Sequence, residues 1–242
     1  MVKKIIPHAI TSANLLCGCL AITQIAAGNL MFAALLVLLG AFFDFFDGMA
    51  ARLLKVTSPL GAQLDSLADV ITFGLVPAYL AFSWLNQIEA SNLNYIAFLI
   101  AIFSAVRLGK FNIDTRQSDS FIGLPTPANA LFWIALPLIQ WQVDNGVGLF
   151  QLEEFMQVVQ QPYLIYGLIV LLSFLLIAEL PLIALKFKNL SWKANQFRWI
   201  LLISSLLLIA LFLFAAIPII LLLYISLSIL QTSTNKTDEI QS

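Results

Sequence analysis

Residues 199–230 read WILLISSLLLIALFLFAAIPIILLLYISLSIL, and no position in the stretch carries a charge. As one helix rising 1.5 Å per residue it would run about 48 Å, against a bilayer hydrocarbon core of about 30 Å. A break at Ala215, Ala216 and Pro218 divides it into two short spans; if Pro218 only kinks the helix, one long span remains. Such a run has no place on a water-exposed surface. The fold class follows from it: an all-α polytopic membrane bundle, of about eight spans with the break and seven without it.

The rest of the chain is written in the same way. Breaks at Gly, Pro and polar clusters leave segments 7–28, 30–54, 59–85, 92–112, 125–143 and 162–186, each near the ~20 residues a spanning helix needs. Of 242 residues 61% are hydrophobic, and only 12 Lys plus Arg and 13 Asp plus Glu carry charge, where a soluble domain has about 25% charged residues. A net charge of −1 leaves no basic footprint for phosphate backbones, which argues against a nucleic-acid partner. Residues 5–27 are long enough to span and lack the form of a cleaved signal. Cys17 and Cys19 sit about 200° apart on a helix, so they read as small core hydrophobes and not as a disulfide. The segment GLFQLEEFMQVVQQ, 148–161, is too short and polar to span and is expected along the surface. Residues 1–231 read as one membrane domain, and 232–242, TSTNKTDEIQS, as a disordered polar tail.

Charge orients the spans. Lys3, Lys4, Arg52, Lys55, Arg107, Lys110, Arg116, Lys186, Lys188, Lys193, Arg198 and Lys236 all fall on one side of the alternation. The opposite loops carry Glu89, Asp144, Glu153 and Glu154. Cytoplasmic loops retain Lys and Arg, so the amino terminus is expected in the cytoplasm, with Trp84 and Trp141 at the outer interface and Trp192 and Trp199 at the inner one. Glu179 reads as a carboxylate inside the sixth span, snorkelling toward Lys186.

Four acids stand where acids are expensive. Asp44 and Asp47 are i, i+3 on the second span; Asp65 and Asp69 are i, i+4 on the third, so each pair shares a helix face. The turn at 56–59 makes the two spans antiparallel neighbours whose acidic faces can converge. Ion pairing with Arg52 and Lys55 neutralises two of the four at most. A hard divalent cation bound by oxygen ligands, Mg²⁺ or Mn²⁺, accounts for all four. Gly48 and Gly61 sit one turn from Asp44 and Asp65, either packing helices closely or leaving room for a bulky ligand. Arg52 can grip a phosphate through two donors, so the set describes a diphosphate site.

Residues 44–69, DFFDGMAARLLKVTSPLGAQLDSLAD, fit D-x2-D-G-x2-A-R-x8-G-x3-D-x3-D at every fixed position. This resembles the CDP-alcohol phosphotransferase signature. A second set, Arg107 to Asn112 (RLGKFN) and Phe121 to Ala128 (FIGLPTPA), is similar to bacterial integral-membrane phosphatidylserine synthases. The family's Pro-Asn pair near the amino terminus is Pro7-His8 here. The resemblance implies transfer of a phosphatidyl group from CDP-diacylglycerol to the hydroxyl of L-serine in the bacterial inner membrane, by a homodimer with its active site facing the cytoplasm. It implies that Asp44, Asp47 and Asp65 hold metal with Asp69 near it, and that Gly48, Ala51, Arg52 and Gly61 line the CDP pocket, joined by Thr11 and Asn14. Asp69 is the choice for the base that takes the serine proton. Arg107 and Lys110 would supply cations to the serine carboxylate or the lipid phosphate, with Asn112 and Thr126 orienting the amino acid.

Other readings of the same residues stay open at this point. Arg107 and Lys110 can be topology anchors, and GLPTPA a rigid re-entry loop. His8 reads more readily as a surface residue than as a ligand contact. Another acceptor, glycerol 3-phosphate or inositol phosphate, fits the same chemistry. A divalent-cation channel or carrier also places acids inside spans, but gains nothing from the fixed charge of Arg52. A scaffold protein would have no need of four acids together.

Overall fold

In hydrocarbon every backbone N–H and C=O must be bonded within its own segment, which leaves a chain of this composition only helices. A computed structural model of the protein describes residues 2–56, 58–113, 121–150, 152–183, 191–192 and 195–241. The helices are α1 (Val2–Ala26), α2 (Leu30–Leu53), α3 (Pro59–Asp69), α4 (Val76–Ile88), α5 (Leu99–Ile113), α6 (Thr126–Asp144), α7 (Glu153–Val159), α8 (Pro162–Ile177), α9 (Gln196–Phe212) and α10 (Ala216–Gln241). A π-helical turn, Val70–Leu75, joins α3 to α4, and a 3₁₀ segment, Asn92–Phe98, leads into α5. Two short strands, β1 (Phe121–Ile122) and β2 (Pro181–Leu182), pair antiparallel with Phe121 opposite Leu182.

Among the described residues, length and composition alone qualify five helical stretches as membrane-crossing, and six when α7 and α8, bent by 72° at their junction, are taken as one. The other two of the eight expected segments have physical explanations. Helix α6 carries Asn129, Gln140 and Gln142, yet twelve of its residues are buried; it is the central helix and faces protein, so its polar groups need not be lipid-soluble. The stretch Gln196–Thr234 counts as one span by hydropathy, but Leu213 takes φ 52°, ψ −120° and folds α9 back onto α10. The break falls two to five residues before the Ala215, Ala216 and Pro218 positions where the sequence places it. In α9 only Leu201 is buried, which marks that helix as peripheral.

The turn at Leu213 is held from the core. Gln142, buried on α6, donates from Nε2 to the Phe212 carbonyl at 3.3 Å and accepts the Phe214 N–H at 3.2 Å. One amide thereby satisfies both backbone groups flanking a residue in a conformation that L-residues avoid.

Three expectations are corrected. Helix α8 ends at Ile177, not 186: Ala178 is extended, and Pro181 lies in β2, consistent with the bias of pre-proline segments away from helix. Glu179 therefore lies beyond the helix and is exposed. Residues 232–241 continue α10, where composition predicts disorder; Thr232, Ser233 and Thr234 each bond the carbonyl one turn back at 3.0 Å, so their hydroxyls do not compete with the helix. Trp84 is 6% exposed in the core and is not an interfacial anchor. Arg116, Lys186, Lys188 and Lys193 lie outside the described residues. Cys17 is buried, Cys19 exposed, and both are free thiols.

Replacing Gln142 with Leu strands two backbone groups at a strained turn, each costing about 1–3 kcal/mol when buried without a partner. The thermal unfolding midpoint in detergent should fall by several degrees, whereas Gln87→Leu, at an exposed position, should leave it nearly unchanged. Equal midpoints for Gln142→Leu and the parent would contradict this role.

Candidate functional site

Helix α2 ends at Leu53, Lys55 takes φ 52°, and Ser58 restarts the chain by accepting the Gly61 N–H at 3.2 Å, with Pro59 at the first helical position. A left-handed residue closing one helix and a Ser-Pro start for the next are the local devices that make so short a connection. They set the end of α2 against the start of α3, and the acids on the two helices converge. Carboxylate oxygens of Asp44, Asp47 and Asp65 all lie within 4.8 Å of one another. Asp65 Oδ1 is buried and has no hydrogen-bond partner.

Asp69, the fourth acid of the motif, stands apart from that trio. It lies one turn further along α3, is 7% exposed, and accepts a hydrogen bond on Oδ1 from Asn14 Nδ2 at 3.1 Å. The π-helical turn begins at the next residue, and such single wide turns are common at functional sites. Thr72 in that turn donates to the Asn14 carbonyl at 3.1 Å. The fit of α1 and α2 around Thr72 leaves no space for side chains: a Cβ on Gly18 would lie 2.6 Å from Thr72 Oγ1, and one on Gly40 2.7 Å from Thr72 Cγ2.

Helix α1 thus supplies two donors, one turn apart, to acids on two other helices. Thr11 Oγ1 lies 2.6 Å from Asp47 Oδ2 and 3.0 Å from the Pro7 carbonyl. Both Thr11 and Asn14 are buried. Thr11 also lines a cleft of about 240 Å³ together with His8, Asp47, Gly48, Ala51, Ser58, Gly61 and Asp65. Asn14 is not part of that wall; its contact is with Asp69.

The two motif glycines differ in what their smallness does. A Cβ on Gly48 would meet only Arg52 Nη1, at 3.8 Å, so this position opens to the cleft. A Cβ on Gly61 would press on His8 Nε2 at 3.0 Å, so Gly61 makes room for an imidazole. His8 is half-buried in the cleft wall, not the surface residue that its position suggests. Arg52 is exposed at the rim.

The four residues placed near the acceptor separate into three settings. Arg107 is 7% exposed, and its Nη1 lies 3.5 Å from Thr126 Oγ1, the long limit of a hydrogen bond; its Nε has no partner. Asn112 is tied to α3 through Ser66, with its Nδ2 donating to Ser66 Oγ at 2.9 Å, one residue from Asp65. Lys110 is exposed. Arg107 is also in electrostatic reach of Asp69 and of Tyr224. Thr126 is held in place by the loop before it, where Gly123 at φ 77° and Leu124 donate to the Leu180 and Leu175 carbonyls at 2.9 and 2.8 Å. A Cβ on Gly123 would lie 2.6 Å from the Leu176 carbonyl oxygen.

Sequence reasoning missed Ser58, Ser66, Thr72 and Tyr224. Only Ser58 carried a local signal, as a Ser-Pro helix start; the others act through contacts between elements far apart in the chain.

Asn14→Leu removes the donor on Asp69 while keeping side-chain volume. Losing an outer-shell partner of this kind typically costs about 10–100-fold in activity, and we expect that loss in turnover with the protein still folded. Ser12→Ala, which removes only an exposed bond to the His8 carbonyl, should be silent. Turnover of Asn14→Leu within twofold of the parent would show that the contact is incidental.

Comparison of the sequence with known proteins places the chain in a family. Residues 4–182 match the family model described as CDP-alcohol phosphatidyltransferase. The chain is 43% identical over 155 residues to a CDP-diacylglycerol–serine O-phosphatidyltransferase of Bacillus subtilis (strain 168), covering 62% of this chain and 85% of the relative. It is 31% identical over 202 residues to the protein of the same name from Helicobacter pylori (strain J99), covering 83% and 80%. A third of that name, from Methanocaldococcus jannaschii, is 35% identical over 149 residues, covering 60% and 68%. The match takes in the acidic trio, Asp69 and the Arg107–Thr126 pair, and the chain belongs to the CDP-alcohol phosphatidyltransferase family.

Proposed function

We propose that the protein is an integral-membrane transferase that moves the phosphatidyl group of CDP-diacylglycerol to the hydroxyl of L-serine, releasing CMP. The observation that carries the reading is the convergence of Asp44, Asp47 and Asp65 beside a cleft walled by Gly48 and Ala51, within a chain whose relatives bear that name.

The donor set fits a hard divalent ion. Oxygens sharing one Mg²⁺ stand at most about 4.2 Å apart, so the trio, within 4.8 Å of one another, would need only to draw in slightly, and the buried Asp65 Oδ1 has no hydrogen-bond partner to compete for it. Mg²⁺ or Mn²⁺, held by Asp44, Asp47 and Asp65, would neutralise the diphosphate and fix it for in-line displacement. Arg52 at the rim reaches the diphosphate through its planar fork, and Gly48 and Ala51 leave space for the cytidine end. Thr11 fixes the orientation of Asp47, and Asn14 that of Asp69.

Asp69 is the base. With Oδ1 taken by Asn14, its free oxygen accepts the serine hydroxyl proton. The serine oxygen forms its bond to the lipid-bearing phosphorus as the bond to the CMP oxygen breaks, and CMP leaves with that electron pair. Arg107, with an unpartnered Nε and Thr126 beside it, faces the acceptor's carboxylate, and Asn112 braces α3 next to the trio. The segregation of basic residues supports a cytoplasmic amino terminus and site in a bacterial inner membrane. A homodimer rests on family resemblance.

Purified protein given CDP-diacylglycerol, Mn²⁺ and a panel of alcohols should release CMP with serine and not with glycerol 3-phosphate or inositol phosphate. Release driven by another alcohol would overturn the acceptor, and full activity after exhaustive chelation would overturn the metal. Asp69→Asn should abolish release while CDP-diacylglycerol binding survives; near-normal turnover would remove Asp69 as the base.

A further inference from the structure

A second cavity, of about 500 Å³, lies between α6, α9 and α10. Its walls include Pro125, Leu131, Leu202, Ser205, Ile217 and Tyr224, and among its lining residues only Ser205 and Tyr224 carry polar side-chain atoms. The Tyr224 hydroxyl is engaged, donating to the Ile183 carbonyl at 3.1 Å. Two of the three helices forming it lie beyond residues 4–182, the part of the chain that matches the family.

The position of this groove says what fills it. One end is the Pro125–Ala128 corner, whose Thr126 meets Arg107. Arg107 is a cation nine-tenths buried with an unpartnered Nε, in electrostatic reach of both Asp69 and Tyr224. The groove therefore begins beside the reaction site and runs away from it along helices that border lipid. Its volume is in the range of about 300–1,000 Å³ typical of ligand pockets, and an apolar cleft at this depth takes hydrocarbon, since water there would find too few polar partners.

We propose that the α6–α9–α10 groove seats one acyl chain of the diacylglycerol substrate, holding the lipid so that its phosphate sits at the acidic trio, with Arg107 left to the acceptor. This rests on the transferase reading above. Moving a chain from bilayer to groove brings no hydrophobic gain, because lipid is as apolar as the groove. Its effect is positional: a chain long enough to fill the groove fixes the phosphorus for attack, and a short chain does not. The chain-length dependence of turnover is then set by helices outside the matched region.

Ser205→Trp and Ile217→Phe fill the groove without touching the acids or Arg107. In either variant the ratio of turnover on dipalmitoyl to dioctanoyl CDP-diacylglycerol should fall by about tenfold or more from the parent's, a differential loss of bound-chain positioning. Leu206→Trp, on the exposed face of α9, should keep the parent ratio. A ratio within about twofold of the parent in both groove variants would overturn the assignment. Independently of turnover, CDP-diacylglycerol with a photoreactive group at the chain terminus should crosslink the parent protein within α9 or α10. Adducts confined to α1–α5 would overturn it even if the variants fail to fold. Failure of serine-dependent CMP release at every chain length would instead sink the transferase reading, and the crosslink would still decide the groove.

Discussion

Three carboxylates within 4.8 Å of one another on two adjacent membrane helices are the constraint around which this protein is arranged. At that separation each ionised pair repels by roughly 3–4 kcal/mol at an effective dielectric of about 20. The protein supplies hydrogen bonds toward these acids from Thr11 and, for the fourth, from Asn14, each worth about 1.5–3 kcal/mol to a charged acceptor. That offsets part of the repulsion and leaves the remainder to a bound cation. The site is thereby built to be completed by metal and substrate, and its residues are stabilised in the positions that completion requires.

Much of the surrounding architecture holds that arrangement in register. Helix α1 is less an anchor than a strip of donors, and the tight fit of Gly18 and Gly40 around Thr72 fixes how deep it lies against α2 and the π-helical turn. On the opposite side the β1–β2 pairing and the Gly123 corner tether the start of α6 to the end of α8, which presents Thr126 to Arg107. The acids and the buried arginine therefore belong to two separately braced halves that meet across Asp69. Bracing of this kind favours chemistry in which positioning and electrostatics supply most of the rate.

The sequence made the fold class and the acidic faces readable because both depend on local periodicity. Asp44 and Asp47 share a face at any helical spacing, and the uncharged run from Trp199 to Leu230 can only be membrane. What could not be read are effects between segments. The bond from Thr11 to Asp47 spans 36 residues and that from Asn14 to Asp69 spans 55, so nothing in the spacing of either shows that α1 sorts the acids into three and one. The end of α8 at Ile177 was hidden because Ala178, Leu180 and Leu182 continue an apolar pattern while the backbone has left the helix to pair with β1. His8 reads as a surface residue because the space for its imidazole is left by Gly61, on another helix. Segment 125–143 reads as a span from its breaks, whereas mean hydropathy leaves α6 out, because that measure assumes lipid on all sides and α6 has protein there.

The most direct measurement of the central claim is Mn²⁺ binding to the purified protein, followed by the loss of the free-ion electron paramagnetic resonance signal. The account predicts saturable binding by the parent and by Asn14→Leu, and affinity weakened by at least about tenfold in Asp44→Asn, Asp47→Asn and Asp65→Asn, since loss of even an outer-shell partner costs about that much. Parent-like Mn²⁺ binding by all three trio variants would contradict it.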